Sequence, residues 1–186
     1  MLKRIMIGCF SFMLATFLYA EGLSKSKTFV GLEGGTGTVY NGVTTLLGNI
    51  SDTDNDTTIY GIRFGAETEE WRSMVIFDYE ENDANNQDVT KGLVSVDYFI
   101  ANTDYSEVVF KPYLGLNVGY AQYQASSTAT GTVSVEEAGL LYGGQAGISI
   151  GLYSMIDIDF LYRYSVVDID EVDHTENFIL GLNYFF

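Results

Sequence analysis

The sequence predicts an all-β chain, an eight-stranded antiparallel transmembrane β-barrel, and three observations carry that prediction. After residue 20 the apolar residues recur with a period of two and not with the helical period. Glycine falls repeatedly on the polar side of that alternation. The segments between strands are long and polar after each odd strand and short after strands 2 and 6.

Composition narrows the field first. The 186 residues carry 25 Asp and Glu against 9 Lys and Arg, a formal charge of −16, which argues against nucleic acid as a partner. A single cysteine excludes a disulfide framework and a multi-thiolate zinc site, and a single histidine, His174, excludes a His-rich metal centre. The aromatic and apolar content argues against disorder, and the length points to one domain.

Residues 1–20 read as a secretory signal peptide. Lys3 and Arg4 form a basic start, Ile5 to Leu18 an apolar run, and Ala20 a small residue at the cleavage point. The apolar run is shorter than the ~20 residues that a helical span needs, which disfavours an uncleaved anchor. Cys9 lies inside that run, too early for a lipoprotein cysteine. Cleavage removes Lys3, Arg4 and Cys9 and no carboxylate, so the remaining domain, residues 21–186, is more acidic and contains no thiol.

Eight alternating segments follow. Strand 1 (about 28–40) sets Val30 and Leu32 against Gly31, Glu33, Gly35 and Gly37. Strand 2 (about 59–66) sets Tyr60, Ile62, Phe64 and Ala66 against Gly61, Arg63 and Gly65. Strand 3 (about 71–80) sets Trp71, Val75, Phe77 and Tyr79 against Arg72, Asp78 and Glu80. Strand 4 (about 91–100) sets Val94, Val96, Tyr98 and Ile100 against Ser95 and Asp97. Strand 5 (about 110–123) sets Leu114, Leu116, Val118 and Tyr120 against Gly115, Asn117 and Gly119. Strand 6 (about 140–151) sets Tyr142, Ala146, Ile148 and Ile150 against Gly143, Gln145, Gly147 and Gly151. Strand 7 (about 156–165) sets Ile156, Ile158, Phe160, Tyr162 and Tyr164 against Asp157, Asp159 and Arg163. Strand 8 (about 177–186) sets Phe178, Leu180, Leu182, Tyr184 and Phe186 against Asn177, Gly181 and Asn183.

The expected long connections are Asn41–Asp56, Glu81–Thr90, Gln124–Gly139 and Val166–Glu176. The short ones are Glu67–Glu70 and Leu152–Met155, and Ala101–Val109 is intermediate. That is the layout of a bacterial outer-membrane barrel, with strands of about ten residues matching a tilted crossing. A soluble barrel is the competing reading. Glycine on the polar face speaks against it, because a water-facing strand gains nothing from an absent side chain, whereas a narrow lumen has room only for small residues. Aromatic residues at the ends of the apolar faces read as interfacial girdles.

Lys111-Pro-Tyr-Leu-Gly-Leu-Asn-Val-Gly-Tyr120 resembles the strand motif of the small outer-membrane β-barrel superfamily, the OmpA/OmpX-type barrels. Tyr142-Gly-Gly-Gln-Ala-Gly147 and Tyr162-Arg-Tyr164 resemble that family's later strands. Gly181-Leu-Asn-Tyr-Phe-Phe186 is similar to its terminal assembly signal, in which Tyr184 and Phe186 are the alternating aromatics. The resemblance implies outer-membrane localisation, insertion by the general outer-membrane assembly machinery, and short turns in the periplasm. With the chain ending at Phe186, no periplasmic peptidoglycan-binding domain is expected.

The chemistry on offer is a polar lumen. Glu33, Arg63, Arg72, Asp78, Glu80, Asp97, Asp157, Asp159 and Arg163 face it, and buried charges there must pair. Arg63 and Arg163 against Glu33, Asp97 and Asp159 are the expected pairs. The network reads either as a satisfied polar plug or as a gated ion path. Asp52-Thr-Asp-Asn-Asp56 lacks the glycine and distal glutamate of an EF-hand. With the acidic loop of Asp168, Asp170, Glu171 and Asp173, it reads as solvated surface or as a weak cation site bridging lipopolysaccharide phosphates. An enzyme is not expected. His174, in a loop beside Thr175, lacks a serine neighbour, and Gly34-Gly-Thr-Gly37 lacks the lysine and helix of a phosphate loop. No cofactor is expected. The expected role is structural or adhesive, through acidic extracellular loops that meet lipid, lipopolysaccharide or an extracellular ligand, and the expected state is a monomer. A narrow channel is the alternative.

Overall fold

The computed structural model describes residues 26–40, 55–82, 87–105, 107–127, 133–153, 155–169 and 172–186. The signal segment with Cys9, the acidic residues Asp52 and Asp54, and Asp170 with Glu171 lie outside the described residues.

Strands occupy all of the described regular structure: β1 (Lys27–Tyr40), β2 (Asn55–Glu67), β3 (Trp71–Asn82), β4 (Gln87–Phe99), β5 (Thr103–Tyr105), β6 (Val108–Ser127), β7 (Val133–Leu152), β8 (Ile156–Ile169) and β9 (Val172–Phe185). All but β5 form one closed antiparallel ring of eight strands. Neighbours in sequence pair, β4 joins β6, and β1 joins β9, so the barrel has no open edge between its first and last strands. The short β5 pairs only with the start of β6, through Thr103↔Phe110 and Tyr105↔Val108, inside the connection of intermediate length.

The strands overrun all four of the expected long connections, and β2 already begins at Asn55. β3 continues to Asn82 and β4 begins at Gln87; β6 runs to Ser127 and β7 starts at Val133; β8 reaches Ile169 and β9 starts at Val172. The apolar alternation stops near Tyr79, Tyr120 and Tyr142, where the outer face turns to Glu81, Thr90, Gln122 and Gln124. The ladder does not stop, because backbone pairing needs no apolar face once the wall emerges into water. Of the residues expected in the last long connection, Asp168 lies within β8, and Asp173 and His174 lie within β9.

The register fixes the barrel's shape. Following partners around the ring from Val30 through Phe64, Val75, Val94, Val118, Tyr142, Val166 and His174 returns to β1 at Tyr40, ten residues from the start. A ten-residue stagger over eight strands sets a tilt of about 40° and an axial rise of about 2.5 Å per residue.

The two faces are the reverse of a soluble protein. Leu116 is 75% exposed and its neighbour Asn117 only 4%. Leu32, Ile62, Phe77, Val118, Phe160, Leu180 and Leu182 are likewise exposed, whereas Arg63, Arg72, Asp97, Asp159 and Arg163 are buried. Trp71, Tyr98 and Tyr184 ring the exterior near the short turns, and Tyr60, Tyr79, Tyr120, Tyr142 and Tyr164 ring it near the other end. Such an exterior is solvated well by hydrocarbon and poorly by water.

The lumen is not purely polar. Met74, Ile76, Leu93, Leu141, Leu161 and Ile179 point inward and are buried. Val39, Val89, Tyr123, Leu141, Val167 and Val172 form an apolar layer at the end of the long strands, and Phe29, Phe99, Tyr113 and Phe185 gather at the short-turn end.

Candidate functional site: the charged lumen

From the short-turn end up to the apolar layer at the other end, the strands stack ionic groups in tiers. Nearest the short turns, Lys111 of β6 bridges Glu67 of β2 and Asp157 of β8, each at 2.5 Å, and Ser149 donates to Asp157 at 3.1 Å. The Lys111 ammonium also lies over the Phe99 and Phe185 rings, at 5.2 and 5.9 Å.

One tier further in, Arg72 of β3 forks. Its Nε and Nη2 donate to Asp97 Oδ2 at 3.0 and 2.8 Å, and its Nη1 donates to both Asp159 oxygens at 3.1 and 2.9 Å. The guanidinium stacks 4.5 Å from the Tyr113 ring. Gln145 Nε2 and Ser95 Oγ donate to the other Asp97 oxygen at 2.7 and 3.2 Å, and Asn183 donates to Asp159 at 3.1 Å. Arg63 lies 2.8 Å from Asp159 and 3.6 Å from Glu33. These are ion contacts without hydrogen-bond alignment, so its nitrogens remain unsatisfied by protein.

Above these, Arg163 donates from Nε to Gln145 at 3.0 Å and from Nη1 to Glu33 at 2.9 Å and Asp78 at 2.7 Å. In the last polar tier Lys91 donates to Glu80 at 2.6 Å and to Thr175 at 3.1 Å, and Asn177 donates to the same Glu80 oxygen at 2.8 Å. Every buried cation among the described residues therefore meets at least one carboxylate, as the cost of an unpaired charge in this interior demands.

The glycines make this packing feasible. Gly181 faces Glu33 on one side and Asp159 on the other, and a Cβ on it would overlap Arg63 Nη2. Gly31 is level with Arg63, so the arginine lies across two glycines on its way from β2 to Asp159 on β8. Gly61 makes the same room for Asp78, and Gly115 for Asp97.

The structure brings together all nine lumen residues read from the sequence, with one expected pairing corrected. Asp97 is held by Arg72 and Gln145, while Arg63 and Arg163 share Glu33. The stagger decides this, and alternation within one strand cannot reveal it. Lys91, Lys111 and Glu67 were missed at strand ends assigned to boundaries or turns, although their parity with Asp97, Asn117 and Arg63 placed them inward. His174 is not a solvated loop residue. It faces outward on β9, stacked 4.2 Å from Tyr40 and 5.2 Å from Tyr164, with Asp173 at 2.9 Å. Thr175 beside it points into the lumen and is fully buried, so the two cannot act as base and nucleophile.

No protein-family model matches this sequence, and no curated protein matches it. Solved structures do share its fold. The Neisserial surface protein A aligns with a TM-score of 0.65 at 16% identity, over 86% of this chain and 97% of that one. Outer membrane protein H of Pseudomonas aeruginosa aligns at 0.56 and 22% identity, over 86% and 99%. The attachment invasion locus protein Ail of Yersinia pestis, solved with the heparin analogue sucrose octasulfate, aligns at 0.52 and 18% identity, over 87% and 99%. At these identities the likeness extends to the fold alone: this chain has the architecture of the eight-stranded outer-membrane barrels.

Proposed function

We propose that the protein is a bacterial outer-membrane barrel whose role is structural or adhesive, exercised at its exterior and its projecting strand ends and not through its lumen. The observation that carries this reading is the filled interior. Ion pairs and inward apolar side chains fill it together, with an apolar layer at the long-strand end and the Lys111 tier packed against Phe99 and Phe185 at the other, where a water-filled pore would need open polar walls. The channel reading draws on the lumen atoms that lack a protein partner, among them Glu80 Oε2, Asn117 Nδ2 and Thr57 Oγ1. Isolated waters within this packed interior would satisfy these atoms without connecting the two sides.

Delivery by a cleaved signal peptide, insertion by the assembly machinery through Tyr184 and Phe186, and the absence of enzymatic activity belong to the same proposal. Support for the terminal signal is the seam: Phe186 N donates to Thr28 O at 3.1 Å, so the last residue closes the ring against β1. The polysulfated ligand of the Yersinia protein does not suit this chain, whose outer end displays Asp56, Glu81, Asp168 and Asp173.

Cell fractionation with heat-modifiable gel mobility tests location and barrel state together. Planar-bilayer recordings test the lumen: the expected outcome is no steady conductance, and stable porin-like steps would transfer the proposal to the channel.

A further inference from the structure

One stretch of the exterior departs from the lipid-facing pattern. On β9, β1 and β2 the outward residues Leu180, Gly34 and Tyr60 stand level. The next row is Phe178, Thr36 and Thr58, and the row above it is Glu176, Thr38 and Asp56. With the barrel's stagger, Thr36 and Glu176 reach the height of Tyr79, Tyr120 and Tyr142, within about 3 Å along the axis. On β9 and β1, Glu176 and Thr36 thus stand where the upper girdle has aromatic rings on β3, β6 and β7.

These six residues of the upper two rows, with Gly37 and Thr57 between them along the strands, line a recess of about 340 Å³, open to the outside. Its three threonines are short, and Gly34 in the row below adds no side chain. Phe178, packed 5.1 Å from Tyr162, walls one side. Tyr60, directly level with Gly34, stands at the lower corner of the other, and the stacked Tyr40 and His174 lie above. The volume is at the lower end of the ~300–1,000 Å³ of small-molecule sites.

The lining selects its ligand. Carboxylates only accept hydrogen bonds, and threonine hydroxyls do both. No Lys or Arg is present, so phosphate and sulfate are disfavoured. An aromatic wall offers contact to an apolar ring face. A pyranose with free hydroxyls and an amide N–H has donors along its edge and C–H groups on its face. Directly beneath, Gly34 lies between Leu180 and Tyr60, and Leu32 between Leu182 and Ile62, as a bed for acyl chains. We propose that this recess binds the unphosphorylated sugar head of an outer-leaflet glycolipid, with Asp56 and Glu176 accepting from its hydroxyl or amide groups. The source of the ligand rests on the outer-membrane reading; the binding chemistry does not.

The test uses the folded protein in phosphatidylcholine nanodiscs, titrated with a dephosphorylated N-acyl-glucosamine disaccharide glycolipid. Dissociation constants and amide shifts at Thr36, Thr38 and Thr58 are the readouts. Glu176→Gln and Asp56→Asn should each weaken binding about 10-fold, the loss of one charge-assisted hydrogen bond. Thr36→Val should weaken it less, and Asp104→Asn, at the other end of the barrel, should change nothing. Heat-modifiable mobility of each variant confirms folding. Unchanged affinity in both carboxylate variants would overturn the proposal. So would tighter binding of the phosphorylated glycolipid without divalent cations, or equal affinity for the soluble disaccharide. Location is scored separately: absence from outer-membrane fractions with binding intact would refute the outer-membrane reading and leave the recess assignment standing.

Discussion

Leu116 and Asn117 are adjacent on β6, yet one is 75% exposed and the other 4%. In a soluble sheet the burial would be reversed. The outer face has weak demands: any apolar side chain of roughly the right size suits fluid acyl chains. The inner face has strict ones: each charge needs a partner, each large side chain needs a neighbouring glycine, and the stagger decides who meets whom. The two faces should therefore answer mutation differently, and the difference can be measured.

The largest expected loss comes from the inner face. Arg163→Met strands Asp78, which its Nη1 holds at 2.7 Å, and leaves Glu33 with Arg63 alone at 3.6 Å. Breaking one side of a buried ion pair costs about 3–5 kcal/mol. Urea unfolding of the protein in micelles should show the loss. A loss below about 1 kcal/mol would mean that water reaches this tier and that the lumen is open.

Leu141→Ala comes next, because Leu141 is fully buried in the apolar layer at the long-strand end. A cavity there should cost ~2–5 kcal/mol. If this layer also blocks the lumen, the variant should be the first to show conductance in a planar bilayer. Leu116→Arg, on the outer face, should cost about 2–4 kcal/mol by placing a cation in hydrocarbon. Asn117→Asp should cost at least as much, because it buries a carboxylate beside the neutral Ser165, the change the inner face tolerates least. Gly181→Ala sharpens the inner-face rule at one atom. Its methyl would displace Arg63 from Asp159, and overpacking of this kind costs ~1–3 kcal/mol. A paired Arg63→Met should remove most of that penalty, read in the same unfolding assay.

The contrast also explains what was legible in the sequence. The lipid face was readable because its rule is local: an apolar residue at every second position, as in Leu114, Leu116, Val118 and Tyr120. Strand count and inward parity followed from the same rule, and Arg63, Asp97 and Arg163 could be placed. Three things were not readable. Partners such as Arg72 with Asp159 depend on the stagger of the closed ring, which no single strand encodes. The inward apolar residues Ile76, Leu93 and Ile179 break the alternation and look like noise until they are seen to fill the lumen beside the ion pairs. The strand ends beyond the girdle, from Gln122 to Ser127 and from Val133 to Gly139, do not continue the outward apolar row, so the lipid-face rule does not announce them, although the ladder runs on.

The smallest expected effect is the most discriminating. Leu116→Ala removes a side chain that touches little protein, so no cavity opens and packing terms drop out. What remains is the transfer of a leucine side chain between solvents, and its sign depends on which solvent surrounds the barrel. In water, deleting an exposed leucine is neutral or slightly favourable. In a bilayer, leucine is the better residue by roughly 0.5 kcal/mol near the centre of a span. Unfolding from lipid vesicles should therefore show a small loss for Leu116→Ala, against several kcal/mol for Leu141→Ala. A cysteine at the same site gives the second measurement. In the cleaved chain a spin label on Leu116→Cys would sit on the only thiol, since Cys9 lies in the signal segment. It should be relaxed by apolar oxygen and protected from a polar quencher. Protection from both would place Leu116 in a packed protein core, and the membrane reading of the whole outer face would fall with it.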